Sequence, residues 1–221
     1  MTAVLLRVQL RIWLAQRGVV IGAVLALTLG LAVLALGPDA VGTSVSGQVF
    51  ATVWLAIGAL AGAAPFRSRW APVVLVVAPR RLRWFAACFV SLLAIAMAVT
   101  VTFALLASAI AAFQGSAGIA LTHLWQPLVA VALDVSVGFF LGAATRATAA
   151  ALTIAYVVAP MVSLLVVGPV DLGHWLNLSA AVEVVTAARS DGVLPVVTAL
   201  FAWLVAPAMI AAWRLRHRPI R

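Results

Sequence analysis

The chain offers few side chains suited to covalent chemistry, and their spacing argues against it. The histidines are His123, His174 and His217. They are too scattered for the HExxH pattern, in which two imidazoles one helical turn apart share a metal. No GxSxG elbow presents a serine nucleophile, and no cysteine–histidine pair is suggested by position. Cys88 is the single cysteine, which excludes an internal disulfide and a CxxC redox pair. Inside an apolar run it reads as a small buried hydrophobe. There is no lysine, so the phosphate-binding lysine of a P-loop is missing and the chain is not itself an ATPase of that kind. No catalytic residue, metal ligand or cofactor-binding motif is assigned.

One ionisable residue stands within an apolar run. Asp134 carries a carboxylate that costs roughly 3 kcal/mol to place at membrane depth, so it should face protein or water. Two readings are open. It lines a translocation path, where it contacts a cationic substrate or moves with a proton. Or it packs about two turns from the outer surface, protonated or hydrogen-bonded to Ser136 or a threonine. Beside it, Gly138 and Gly142 have the small-xxx-small spacing that lets helix backbones approach closely. The pairs Gly18/Gly22 and Gly58/Gly62 share that spacing, which 15 glycines also produce by chance. Pro160 and Pro207 interrupt two apolar runs as bending points or static kinks.

The elements that hold these residues follow from composition. Of 221 residues, 66% are hydrophobic and 9% charged, and mean hydropathy is +1.22. Soluble domains hold about 25% charged residues, so this chain lacks the polar surface to cover a soluble fold. An all-α integral membrane protein is expected. Its spans are read at 18–37, 49–65, 84–113, 127–144, 148–170 and 194–213, each near the ~20 residues that cross ~30 Å of hydrocarbon. The third is long enough to tilt or project, and the fourth is the weakest because it is short and holds Asp134. Ala35-Leu36-Gly37 resembles a signal-peptide cleavage site, but the preceding apolar run is too long for a signal core.

Arginine placement orients the six spans. With the N-terminus inside, Arg7, Arg11, Arg17, Arg67, Arg69, Arg80, Arg81, Arg83, Arg146, Arg214, Arg216, Arg218 and Arg221 are all cytoplasmic, and only Arg189 is external. Asp39, Asp171, Glu183 and Asp191 fall outside. Both termini are therefore expected in the cytoplasm of a cell-membrane protein. The net charge of +9 is then a headgroup and partner signal, not a nucleic-acid one. Trp70, Trp84 and Trp213 lie near inner boundaries and Trp125 and Trp175 near outer ones, while Trp54 and Trp203 sit deeper between helices. Residues 1–17 read as an interfacial helix with Arg7 and Arg11 on one face and Leu5, Val8 and Ile12 on the other. A plain cytoplasmic extension of the first span is the alternative. Residues 214–221 form a basic tail, and 171–192 is an external segment in which Ser179 caps a short helix.

The most informative stretch joins spans two and three. Arg67, Arg69 and Trp70 precede, and Pro79, Arg80, Arg81 and Arg83 follow, an apolar segment Ala71–Ala78 centred on Leu75. That segment is too short to cross the bilayer, and a solvated loop has no reason to be Val-Val-Leu-Val-Val. It must bury itself in the interface or in another protein.

Ala78-Pro79-Arg80-Arg81-Leu82-Arg83, followed by a long alanine-rich span, resembles small bacterial permeases of the ABC transmembrane type-2 family. Gly138-Phe139-Phe140-Leu141-Gly142, Arg146 and Ala149-Ala150-Ala151 resemble their fourth span, short turn and fifth span. The likeness covers about Ala61 to Val170. The chain departs from the family where a Glu and a Gly-Thr often flank the first loop cation: here stand Ala64, Pro65, Ser68 and Arg69. The resemblance implies an exporter subunit that pairs with a second six-span permease, in a homo- or heterodimer, and with cytoplasmic ABC ATPase subunits. ATP-Mg would be used by those partners, and segment 67–84 would couple them to the spans. Two rivals stand beside it: a secondary exporter working alone through Asp134, and a non-transport immunity or assembly protein.

Overall fold

The computed structural model describes residues 2–15, 17–36, 40–67, 81–113, 125–163, 175–177 and 193–217. Among them there is no strand. Seven helices follow in order: α1 Thr2–Ala15, α2 Arg17–Leu36, α3 Ala40–Arg67, α4 Arg81–Phe113, α5 Trp125–Thr145, α6 from Thr148 to Ser163 and α7 Val193–His217. Four are long and apolar enough to cross a membrane: the Val49–Phe66 part of α3, then α4, α5 and α7. α1 and α2 meet at a 71° bend and make a fifth only when taken together. α6 is apolar over Thr148–Met161, about 21 Å at 1.5 Å per residue, which falls short of ~30 Å of hydrocarbon. The rest of the expected 148–170 span lies outside the described residues. So does most of 171–192, including Ser179.

The helix ends differ from the sequence reading in instructive ways. α3 starts at Ala40 rather than 49 and runs two residues past Pro65. α5 starts at Trp125, which puts Pro127 in a first turn whose N–H groups have no intrahelical partner anyway. α4 starts at Arg81 and runs 33 residues, about 50 Å, well beyond the hydrocarbon thickness. α7 continues to His217, so the head of the expected basic tail is helical; Arg214, Arg216 and His217 in the last turn suit the negative end of the helix dipole.

The two prolines do not break their helices. In α6 a π turn, Ile154–Val158, directly precedes Ala159-Pro160; in α7 another, Phe201–Val205, directly precedes Ala206-Pro207. A proline ring crowds the carbonyl four residues back, and widening that turn gives it room.

The centre of the molecule is the α3–α5 seam, the most extensive helix pairing in it. A Cβ on Gly58 would meet the Val135 carbonyl and one on Gly62 the Phe139 carbonyl. On the other side, a Cβ on Gly138 would meet the Leu55 carbonyl and one on Gly142 the Ala59 carbonyl. The two GxxxG stretches thus interlock reciprocally, backbone on backbone, with the helices running parallel. Gly22 of α2 packs on Ile57, whereas Gly18 faces open space, so that third pair is not a seam. Aromatics lock α4 to both sides. Phe50 of α3 stacks on Phe103 at 4.3 Å, and Phe85 and Phe89 lie 4.9 and 5.3 Å from Phe139 of α5.

α1 has a protein-facing side that the sequence pattern did not mark. Among its described side chains Gln9 and Trp13 are buried, and Trp13 Nε1 donates to the Cys88 carbonyl of α4 at 3.1 Å. Val8, 49% exposed, and Ile12 are on the outside, a quarter turn from exposed Arg7 and Arg11. The helix has three faces: one on protein, one apolar and open, one basic. Trp84, in the first turn of α4, is buried, while Trp125 and Trp213 are exposed. Rows of exposed apolar side chains on α2 (Val20, Ile21, Val24, Leu25, Leu29) and α7 (Val197, Phe201, Met209) suit lipid and not water. The architecture is that of an all-helical, multi-pass membrane protein.

The seam yields the first test. Gly138→Val should lower the thermal unfolding free energy in detergent by about 1–3 kcal/mol or more through overpacking. Gly18→Val should leave the transition in place.

Candidate functional site

Two places among the described residues bring polar side chains of several helices together. The first is one end of the bundle, where α3 and α5 finish, α4 begins and α7 finishes. Arg146 follows α5 with φ 59°, a left-handed conformation that side-chain-bearing residues avoid by roughly 1–2 kcal/mol. Its N–H closes the helix on the Gly142 carbonyl at 2.9 Å. Its guanidinium lies 4.9 Å over the Phe66 ring, and Nη2 donates to the Arg214 carbonyl at 3.3 Å. Arg214 returns the contact, its Nη1 donating to the Ala144 carbonyl. Arg81 Nη1 adds a longer bond, 3.4 Å, to the Leu215 carbonyl. Three arginines therefore join four helix ends: the C-terminal carbonyls of α5 and α7, which carry the negative pole of each helix, the Phe66 ring of α3 and the first residue of α4.

This end is where the chain leaves α3 for α4. Residues 68–80 lie outside the described set, and with them Arg69, Trp70, Leu75, Pro79 and Arg80. Arg67 closes α3; Arg81 and Arg83 open α4. Arg83 is exposed, whereas Arg81 is half-buried and engaged with α7. The expectation grouped these two, and the structure separates them.

The second place is in the middle of the helices. Asp134 is the tenth of 21 residues in α5, about two and a half turns from its start. It is half-buried and makes no hydrogen bond among the described residues. Ser136 is not its partner, because the Ser136 hydroxyl donates to the Ala132 carbonyl of its own helix at 2.5 Å. The parallel register of the seam sets Asp134 level with the Thr52–Leu55 turn of α3. Onto that turn comes Tyr156 of the α6 π turn, whose hydroxyl donates to the Thr52 carbonyl. The π turn also packs on α5, which puts Tyr156 and Asp134 in each other's electrostatic neighbourhood. α3, α5 and α6 thus meet around one carboxylate and one phenol. Gly138, one turn on from Asp134, belongs to the seam and holds the carboxylate's helix against α3.

Sequence reasoning passed over Tyr156, although it is the single tyrosine in a chain of alanine, valine and leucine. It also passed over Phe66 and the inward turn of Arg214. Trp203 was expected between helices; its Nε1 donates to the Leu176 carbonyl at 2.8 Å, and Thr198 Oγ1 holds the Trp175 carbonyl at 2.9 Å, pinning 175–177 to α7. No group of three metal-ligating side chains occurs among the described residues. The chain matches no protein-family model, no curated protein and no solved structure.

The arginine end is testable by a double-mutant cycle. Phe66→Leu and Arg146→Gln, each and together, should return a coupling of about 0.5–1 kcal/mol in detergent unfolding. Strictly additive effects would remove the ring–guanidinium contact from the account.

Proposed function

We propose that this chain is the membrane-spanning permease subunit of an ATP-driven exporter, working as a dimer with separate cytoplasmic ATPase subunits. Its six spans place both termini and the arginine-rich end in the cytoplasm, with the remainder of α6 and residues 164–170 completing the fifth span and the α1–α2 pair supplying the first. The likeness to type-2 permeases rests on the residues quoted for it alone. The observation that carries the reading is the apolar segment Ala71–Ala78 between two arginine clusters, joining the end of α3 to the start of α4. A push on that link reaches α3 and α4 at once. Through the glycine seam it reaches α5, and through Arg81 it reaches α7. ATP-Mg stays with the partner; this chain supplies the docking segment and the path.

One observation favours the rival in which the chain exports alone: the mid-helix carboxylate of Asp134 without a hydrogen-bond partner among the described residues. Co-purification decides between them. Apolar contacts buried at the centre of a docking site carry most of its affinity, and rim charges less. Leu75→Asp should therefore abolish co-purification of the ATPase and its permease-stimulated turnover. Arg69→Ala should weaken both by about 1 kcal/mol. Membrane insertion should survive both changes. An ATPase that still binds the inserted Leu75→Asp protein would remove the segment as the coupling element.

Topology is tested separately. Reporter fusions after Arg83, after Arg146 and at Arg221 should read cytoplasmic; those near Asp39, His123 and Asp191 should read external. A cytoplasmic signal at Asp191 would break the six-span arrangement.

A further inference from the structure

We propose that Asp134 and Tyr156 form a recognition site for a lipophilic organic cation, the substrate class of the transporter; the proposal rests on the transport reading above. The carboxylate is placed at the middle of a helix whose register is set by backbone contact at Gly138 and Gly142, so it cannot rotate out of the bundle. Its nearest hydroxyl on the same helix, Ser136, is spent on Ala132. Among the described residues of α4, α5 and α7 and the turn after α5, the arginines engaged in hydrogen bonds gather at the helix ends, away from the middle of α5. A cation bound at that level would supply the carboxylate's counter-charge.

The neighbourhood selects the kind of cation. A metal ion would require several oxygen ligands, and among the described residues no group of three metal-ligating side chains includes Asp134, while the Thr52 carbonyl already accepts the Tyr156 hydroxyl. A proton relay would require a chain of titratable groups, and among the described residues only Tyr156 stands with Asp134, its hydroxyl donating to the Thr52 carbonyl. What Tyr156 leaves open is its ring: the side chain is 38% exposed while its hydroxyl is tied down. A ring held in place beside a carboxylate suits a large, weakly hydrated cation, which gains from the ring face and from the charge together. The π turn that carries Tyr156 also places it, since it exists to accommodate Pro160 and turns the ring toward α3 and α5.

The test uses the purified full chain in detergent without any ATPase, with radiolabelled tetraphenylphosphonium as the probe. Saturable binding above that of empty micelles is expected. Asp134→Asn should weaken it about tenfold or more and Asp134→Glu by no more than about threefold, because the charge is what attracts the probe. Tyr156→Leu should weaken it about fivefold, while Tyr156→Phe keeps the ring and stays within about twofold. Unchanged affinity in Asp134→Asn overturns the site. So does a Tyr156→Phe protein as weak as Tyr156→Leu, which would make the hydroxyl the active group, as in proton transfer. If Asp134→Asn fails to fold, a folded Asp134→Glu protein that does not bind overturns it equally. Binding that persists when no ATPase ever co-purifies would support the site while removing the ATP-driven reading.

Discussion

The backbone contact between α3 and α5 sets the geometry of everything else. Lipid is as apolar as leucine, so two helices in a membrane gain nothing from hiding hydrocarbon and must gain from fit. Four glycines remove the side chains that would hold the helix axes apart, and each Cβ position is filled by a carbonyl or amide of the other helix. Such a surface has one register. It fixes the level of Asp134 against α3, and it leaves α4 to wrap the seam through Phe50, Phe103 and the Phe85–Phe89 pair on Phe139.

At one end the seam closes in an arginine clasp. Arg146 accepts an unfavourable backbone conformation, and its side-chain contacts with Phe66 and the Arg214 carbonyl offset that cost. Because each donor reaches a helix C-terminus, the charges stabilise the ends of the bundle without an acidic partner among the described residues. The same arginines that the positive-inside rule counts as topology signals therefore also do tertiary work. The glycine seam and the arginine clasp bind α3, α4, α5 and α7 to one another. The less tightly packed α7, with its π turn before Pro207, is joined to the others by the clasp.

How much was legible beforehand depends on the length scale of the signal. Apolar runs, arginine spacing and the Ala71–Ala78 segment are local patterns and could be read directly. The helix limits could not: α3 and α7 extend beyond their apolar cores because polar ends of helices are stabilised by dipole and side-chain contacts that hydropathy does not weigh. The protein-facing side of α1 was not legible for a related reason. Trp13 has an indole N–H that finds the Cys88 carbonyl, 75 residues away, and that bond goes with Gln9 and Trp13 turned inward, beside the open apolar face of Val8 and Ile12.

The sequence by itself determined the apolar solvent its helices suit and the helical secondary structure, because these depend on composition and on neighbours a few residues apart. It also marked Asp134, since a charge in an apolar run is costly wherever its helix packs. Which GxxxG pairs interlock was decided only in the tertiary structure: Gly18/Gly22 has the same spacing as the others and does not form a seam, since close approach needs a complementary backbone on the opposite helix. Tyr156 became relevant for the same reason. Its meeting with Thr52 across 104 residues follows from the α3–α5 register and a π turn before Pro160, neither of which any local pattern specifies.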